Sequence, residues 1–217
     1  MSKPLLRGHF HQAAFFISLG ACAMLLNQVQ SSIQFLSFLV YSCGLLGMFG
    51  ISALYHRPHW EPGPRLWMRR LDHAAIYVMV GGTSVPLCLV GFPDSGGIQL
   101  LKLVWSAVAL GLLQSLVWVN APKALSAILY IIVGCLSLPF VGGISEKVGQ
   151  LNVVLLCIGG AFYIAGGVIY AVRKPNPWPL HFGYHELFHL FVIFGALAHF
   201  LMNLRILNAS LGLSHLL

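Results

Sequence analysis

Long apolar segments recur along the whole chain and are separated by short polar connections. We identify seven of them, near residues 12–27, 33–55, 72–92, 101–119, 124–141, 151–172 and 184–206. A helix needs about 20 residues to cross the ~30 Å hydrocarbon core of a bilayer, so most of these segments are long enough to span it. The pattern therefore predicts an all-α integral membrane protein, built as a bundle of seven transmembrane helices.

The first segment, 12–27, is the shortest, and Lys3 and Arg7 precede it as basic residues precede the apolar part of a signal peptide. No obvious small-residue cleavage pattern follows it, so we expect a retained helix. The connections are short, and neither an internal repeat nor a Ser- or Pro-rich linker divides the chain. We therefore predict a single seven-helix domain over residues 1–217.

Composition agrees with a membrane environment. Hydrophobic residues make up 58% of the 217 positions and charged residues only 8%, whereas a soluble domain carries roughly 25% charged residues. Mean hydropathy is +0.84. The five cysteines all lie singly within apolar segments, which predicts core packing and neither disulfides nor a thiolate metal site. They are Cys22, Cys43, Cys88, Cys135 and Cys157.

The distribution of the twelve basic residues predicts an orientation. With the N-terminus in the cytoplasm, nine of them fall on the inside: Lys3, Arg7, Arg57, Arg65, Arg69, Arg70, Lys123, Arg173 and Lys174. Three fall on the outside: Lys102, Lys147 and Arg205. Membrane proteins carry an excess of Lys and Arg in short cytoplasmic loops, so we expect the N-terminus inside and the C-terminus outside. The +7 net charge is then a topology signal, and nucleic acid is not an expected partner.

Polar side chains interrupt three of these segments at the same predicted depth. The second segment ends with "GISALYH", which places His56 at its cytoplasmic end and Ser52 one turn deeper on the same face. The third begins with "RRLDHAAIY", so Asp72 lies at that level. The seventh begins there too, and His185 and His189 share a face because they lie four residues apart. We expect these helices to bring the polar groups together.

Taken singly, these residues have ordinary explanations. Histidines at helix ends, such as His59, His73 and His181, are most often interfacial. Asp72 could cap its helix, and Ser52 could bond its own backbone. Together they are harder to explain, because an ionisable side chain within the membrane costs roughly 2.5–3.5 kcal/mol and normally faces the bundle interior, where it finds partners.

Three imidazoles, two on one helix and one on a neighbour, suit Zn²⁺ and leave a fourth position for water. The pattern therefore favours a zinc site at His56, His185 and His189. An open position is typical of catalytic zinc, which supplies hydroxide at neutral pH. Asp72 could then accept a proton from that water, and Ser52 could orient an oxyanion. A proton or ion relay through the same residues is the alternative.

Five stretches of the chain resemble the hemolysin III family, the bacterial branch of the progestin and adipoQ receptor superfamily. They are "SALYH" at 52–56, "RLDHAAIYVMVGGTSVPLCLV" at 70–90, "ILYIIVGCLSL" at 128–138, "GGAFYIAGGVIYAVRKPNP" at 159–177 and "HELFHLFVIFGALAHF" at 185–200. The same Ser, Asp and three-His pattern is shared with alkaline ceramidases in a wider group of seven-helix proteins.

This resemblance implies a role for each residue. His56, His185 and His189 would bind zinc. Asp72 would contact the zinc-bound water, and Ser52 would lie beside the metal. The animal relatives are associated with ceramide hydrolysis, and the bacterial members with haemolysis and with membrane-energy and lipid homeostasis. A bacterial inner membrane is the expected location.

Near the first segment the chain departs from that family. Many bacterial relatives have an acidic residue there, followed by Asn and then His, whereas this stretch reads "RGHFHQAAFF". Arg7, His9, His11 and Gln12 do not reproduce the pattern, so no role is carried over to them. Glu186, which is rotated ~100° from His185, is expected at the interface or beside the site.

Two functions remain open. In the first, the protein is a zinc-dependent hydrolase of a lipid amide or ester bond, with the bilayer and a lipid substrate as its partners. In the second, zinc is a structural clamp in a receptor, membrane-state sensor or pore. A route by which a lipid carbonyl could reach the metal would distinguish them. Gly81, Gly82, Gly183 and Pro86 permit kinks or close helix approach, but by themselves they do not predict a cavity.

Overall fold

The computed structural model of the protein describes residues 3–213, so the C-terminus at Leu217 lies outside the described residues. Regular structure within that range is helical, apart from an isolated bridge between Trp178 and Phe182. Seven helical spans in this range are long and apolar enough to cross a membrane, as predicted. The α-helices are α1 (His9–Gln28), α2 (Ser32–His56), α3 (Pro62–Pro86), α4 (Ser95–Val117), α5 (Lys123–Cys135), α6 (Val141–Val148), α7 (Gln150–Val172) and α8 (Tyr184–Ser210).

The third span begins at Pro62, well before the predicted residue 72. Proline is favoured in the first turn of a helix because its missing N–H has no intrahelical partner there, so the polar stretch ahead of residue 72 is helical too. At its other end α3 continues through Pro86 into a π-helical turn, Leu87–Gly91. A proline inside a helix breaks the regular hydrogen-bond ladder, which accounts for the change.

The fifth span is not one continuous helix. α5 ends at Cys135, a short 3₁₀ turn covers Leu138–Phe140, and α6 completes the span to Val148. Pro139 lies in the interruption, where it cannot donate a backbone hydrogen bond. The predicted segment 124–141 therefore stopped too early.

Helices α2 and α3 form one of the two most extensive helix pairs, and α7 and α8 form the other. Gly44 and Gly82 let α2 and α3 approach closely. A Cβ on Gly44 would lie 3.0 Å from the carbonyl oxygen of Val78, and one on Gly82 would lie 3.1 Å from that of Val40. Small residues permit this backbone approach in membrane bundles, where lipid provides no hydrophobic drive between helices.

The predicted burial of all five cysteines is wrong for two of them. Cys22 and Cys88 are buried, but Cys43 and Cys157 are exposed on the outside of the bundle. Many leucines, isoleucines and phenylalanines of the spans are exposed as well. Lipid is as apolar as a protein core, so an apolar position in such a chain need not face inward.

One end of the bundle collects the predicted cytoplasmic residues, and we call it the basic end. Helix α1 begins there beside the end of α2, because Gly8 lies against His56. The ammonium of Lys123, at the start of α5, lies over the rings of Tyr170 and Tyr184. The nine basic residues that were predicted to lie inside belong to the helix ends and connections at this end. Which side of the membrane it faces stays a prediction.

Candidate metal centre

Three histidines converge at the basic end of the bundle. His56 lies in the last turn of α2, and His185 and His189 occupy the first two turns of α8. Each offers a ring nitrogen, and the three nitrogens lie within 4.8 Å of one another. His185 and His189 are buried, and the His56 side chain is 10% exposed. The structure thus brings together the three residues that the sequence pattern selected.

The donor set fits a zinc ion. The Nε2 atoms of His56 and His185 are 3.1 Å apart, and two nitrogens on a tetrahedral zinc with bonds of about 2.0 Å are separated by about 3.3 Å. The Nδ1 atom of His189 is buried and has no hydrogen-bond partner among residues 3–213. Buried polar atoms are almost always paired, so an orphan in this position is consistent with a metal as the missing partner.

Asp72 and Ser52 lie beside the histidines. The Oδ2 atom of Asp72 is 3.8 Å from Nε2 of His56, which is too far for a direct hydrogen bond. A separation of this size leaves room for a bridging water or substrate atom. Ser52 is buried one turn deeper on α2, and its side chain interacts with the Asp72 carboxyl group. A proton acceptor and a hydroxyl donor therefore adjoin the three nitrogens.

The other polar residues at this end separate into two groups. His59 and His181 are exposed, as the interfacial interpretation predicts, whereas His73 is half-buried and lines the cavity described below. Glu186 is fully buried and forms an ion pair with Arg7. It also accepts a hydrogen bond of 2.8 Å from the backbone N–H of Gly183, which caps the start of α8. Glu186 thus fixes the turn that carries the two histidines.

His11 was assigned no role from the sequence, and it joins the cluster. Its ring stacks on His189, with centroids 3.8 Å apart and planes within 7°. The edge of Phe49 lies on it too, at 5.2 Å between centroids. His11 is 2% exposed, and its ring also interacts with the backbone of His189. The only sequence signal was a histidine in the first turns of a predicted membrane helix.

The segment before α1 folds over the histidine cluster. Its backbone pairs with the connection ahead of α8, since the N–H groups of Leu5 and Leu6 donate to the carbonyls of Leu180 and His181 at 3.0 and 3.1 Å. Lys3 donates a hydrogen bond of 2.8 Å to the carbonyl of Arg57. Arg57 in turn donates to the Gln12 side chain, and Arg7 pairs with Glu186 as described. This chain of contacts ties α1 to the two helices that carry the histidines.

A cavity of about 290 Å³ extends from the cluster into the bundle. Its volume is near the lower end of the ~300–1,000 Å³ of small-molecule pockets. Ser52, Asp72, His185 and His189 line one end, and His199 lines it further along α8. The 14 residues from His185 to His199 span ~21 Å of helix. Most of the wall between these ends is apolar, which suits a hydrocarbon chain.

The lining of the cavity reaches the bundle surface on α5 and α7. Gly134 and Cys157 both line it and are exposed on the bundle surface. Gly160 also lines it, and a Cβ added to Gly134 or Gly160 would meet no atom within 4 Å. Both exposed residues lie within membrane spans, so an opening at this place would face the bilayer.

Comparison with known proteins gives a consistent set of relatives. A family model described as haemolysin-III related matches residues 1–200. The chain is 28% identical to the hemolysin-3 homolog of Bacillus subtilis over 170 residues, which cover 78% of this chain and 76% of that protein. It is 29% identical to hemolysin-3 of Bacillus cereus over 160 residues, 74% and 70% of the two chains. It is also 25% identical to the ADIPOR-like receptor IZH1 of Eremothecium gossypii over 178 residues, 74% of this chain and 56% of that protein.

Proposed function

The chain belongs to the haemolysin III-related family of multi-pass membrane proteins, and from that premise we propose that it is a zinc-dependent hydrolase of a lipid amide or ester bond. Its relatives in Bacillus support a bacterial plasma membrane as its location. A role in membrane lipid homeostasis would follow from such an activity. The histidine cluster at one end of a largely apolar cavity carries this proposal.

In this proposal His56, His185 and His189 hold the metal. Zinc, when bound, lowers the pKa of a coordinated water to about 7 and polarises a carbonyl oxygen. The Asp72 carboxylate accepts a proton from the attacking water, and the Ser52 hydroxyl donates a hydrogen bond to the developing oxyanion. Breaking the C–N or C–O bond gives a carboxylic acid and an amine or alcohol, and the proton on Asp72 is available to the leaving group.

The cavity favours catalysis over a purely structural zinc. A structural zinc that links α2 to α8 would need the three histidines, but it would not need an apolar cavity beside them. Here the cavity meets the histidines, Ser52 and Asp72 at one end, and its lining includes Gly134 and Cys157, which are exposed within two membrane spans. A lipid whose acyl chain occupies the cavity would have its carbonyl group at the histidine cluster. The experiment that tests this proposal is mass-spectrometric detection of lipid cleavage by the purified protein in liposomes, with Asp72→Asn as the comparison.

The cavity lining on α5 and α7 leads to a prediction for Gly160. Changing Gly160 to leucine places a side chain in open space at the cavity wall, so we expect normal folding and zinc content. Lipid cleavage should fall about tenfold or more, since apolar pockets discriminate by at least that factor for one methylene. Gly20→Leu on α1 is the matched control, because Gly20 also meets nothing within 4 Å but does not line the cavity. Equal activity of the two variants would argue against entry between α5 and α7.

The stacked ring of His11 leads to a second prediction. We expect His11→Ala to weaken zinc binding 10–100-fold, the usual cost of losing a group that orients a metal ligand. His11→Phe keeps a flat ring against His189 and should retain most of the affinity. Zinc affinity is measured by chelator competition, and the absorption spectrum of the cobalt-substituted protein reports the ligand geometry. If His11→Phe binds zinc as weakly as His11→Ala, the ring nitrogens matter and the stacking role is wrong.

A further inference from the structure

A second cavity lies at the basic end, outside the histidine cluster. It has a volume of about 330 Å³ and lies where α2 ends and α3 begins. Its lining consists of Tyr55, Trp60, Pro62, Arg65, Leu66 and Arg69. The two arginines lie four residues apart on α3, so they share a face of that helix. Two guanidinium groups therefore line one wall, with a tyrosine and a tryptophan nearby.

The charge of these arginines is only partly balanced within the described part of the chain, where Asp72, three residues after Arg69 on α3, interacts electrostatically with it. Neither Arg65 nor Arg69 forms an ion pair there, although Arg69 donates a hydrogen bond of 3.1 Å to the Asn120 side chain. Positive charge is also crowded nearby. Burial, and then the charges of Arg7, Arg57 and Arg65, lower the pKa of Lys3. A guanidinium group with N–H groups left to donate, in a region crowded with positive charge, attracts an anion.

Carboxylates near this cavity are few. Of the five acidic residues in the sequence, Asp94 and Glu146 belong to the opposite end of the bundle. Asp72 lies in the histidine cluster, and Glu186 is paired with Arg7. Only Glu61 remains near α3, where it is exposed as the residue before the helix. Within the described residues neither Glu61 nor Asp72 forms an ion pair with Arg65 or Arg69, so we expect a further anion from outside the protein.

The residues around the cavity favour a lipid as the source of this anion. Leu66 forms part of its wall. Leu54, which precedes the lining residue Tyr55 on α2, is 57% exposed. Trp60 is held against α2 by a hydrogen bond of 3.0 Å from its Nε1 to the carbonyl of Leu54. Tryptophan and tyrosine concentrate at the membrane–water boundary, so we expect the cavity to lie at headgroup level. Acyl chains could then lie along the exposed apolar side chains below it.

We propose that this cavity binds the phosphate headgroup of an anionic phospholipid, held by Arg65 and Arg69. Planar guanidiniums bind phosphate oxygens in pairs, and basic pockets between membrane helices recognise anionic headgroups in this way. The site is separate from the metal ligands and does not depend on lipid cleavage. Tyr55 connects the two regions, since its ring contacts that of His56 at 4.6 Å between centroids.

The test measures binding of short-chain phosphatidylglycerol to the purified full-length protein in detergent, with phosphatidylcholine as the neutral comparison. We expect the wild type to prefer phosphatidylglycerol. Each basic side chain near an anionic lipid contributes a factor of about five, so Arg65→Gln with Arg69→Gln should weaken binding by about 30-fold. Arg173→Gln with Lys174→Gln removes the same charge from the same end and should leave binding nearly unchanged.

Three results would overturn the proposal. They are equal binding of the two lipids by the wild type, equal weakening in both double variants, and inorganic phosphate binding as tightly as the lipid. The last result would identify a soluble anion as the ligand. Equal binding of the two lipids by the wild type would refute the proposal by itself, even if the double variant failed to fold. Arg65→Lys with Arg69→Lys provides a folded alternative and should bind with intermediate affinity, since lysine keeps the charge but not the paired geometry.

Discussion

Replacing His189 with alanine is expected to remove zinc from the purified protein and to lower its melting temperature. His189 supplies one of the three clustered nitrogens, and two histidines fall short of the three protein ligands that catalytic zinc sites use. A ligand that binds only the folded state stabilises it by about 4.1 kcal/mol at 1,000 times its Kd, and that contribution would be lost. His185→Ala should behave in the same way.

The matched control for this variant is His199→Ala on the same helix. His199 is also buried and lines the same cavity, and its Nε2 lies 3.1 Å from the carbonyl oxygen of Leu156. Its loss should cost stability through packing and through the lost hydrogen bond to that carbonyl, but zinc should remain bound. Elemental analysis with thermal unfolding distinguishes the two variants. Full zinc content in His189→Ala, or no zinc in the wild type, would remove the basis of the metal centre.

Asp72→Asn is expected to keep zinc and to lose lipid cleavage. Asparagine has nearly the same shape, and three histidines with one further position complete a tetrahedral set without the carboxylate. The change removes the group that accepts a proton from the attacking water, and positioned acid–base catalysis typically contributes 10²–10⁴-fold. Ser52→Ala should give a smaller loss of the same kind, because it removes one hydrogen-bond donor.

Zinc content and cleavage rate, measured on the same preparation, separate the alternatives for Asp72. If Asp72→Asn keeps full activity while His56→Ala abolishes it, the carboxylate serves the helix or the bundle, and a structural zinc is the better account. If Asp72→Asn also loses zinc, the carboxylate is itself a ligand and closes the fourth position. In that event the mechanism proposed here does not operate.

The sequence was sufficient to predict the seven spans and the meeting of the histidines. The two histidines of α8 lie four residues apart, and helix geometry alone puts them on one face. Successive spans run in opposite directions, so the end of the second span and the start of the third were predicted to lie at the same depth. This put His56 and Asp72 at one level. These inferences succeeded because a bilayer fixes the length and direction of each helix more tightly than water does.

Features that depend on side-chain contacts between distant segments could not be predicted from the sequence pattern. His11 lies in the cluster because α1 packs against α2 and α8, and no local pattern encodes that contact. The same holds for the ion pair between Arg7 and Glu186, which are 179 positions apart. The cavity depends on how α5 and α7 pack, and Gly134 and Gly160 on these helices line it. Glycine spacing by itself fits close packing equally well.

The most direct test of the central claim is lipid mass spectrometry on the wild-type protein in liposomes, with the metal removed by chelation and then restored. We predict a fatty acid product, with its amine or alcohol partner, that forms with zinc, stops after chelation, returns on reloading, and is absent for His189→Ala. Zinc bound in a 1:1 ratio without any cleavage product, over a panel of amide- and ester-linked membrane lipids, would contradict the hydrolase assignment.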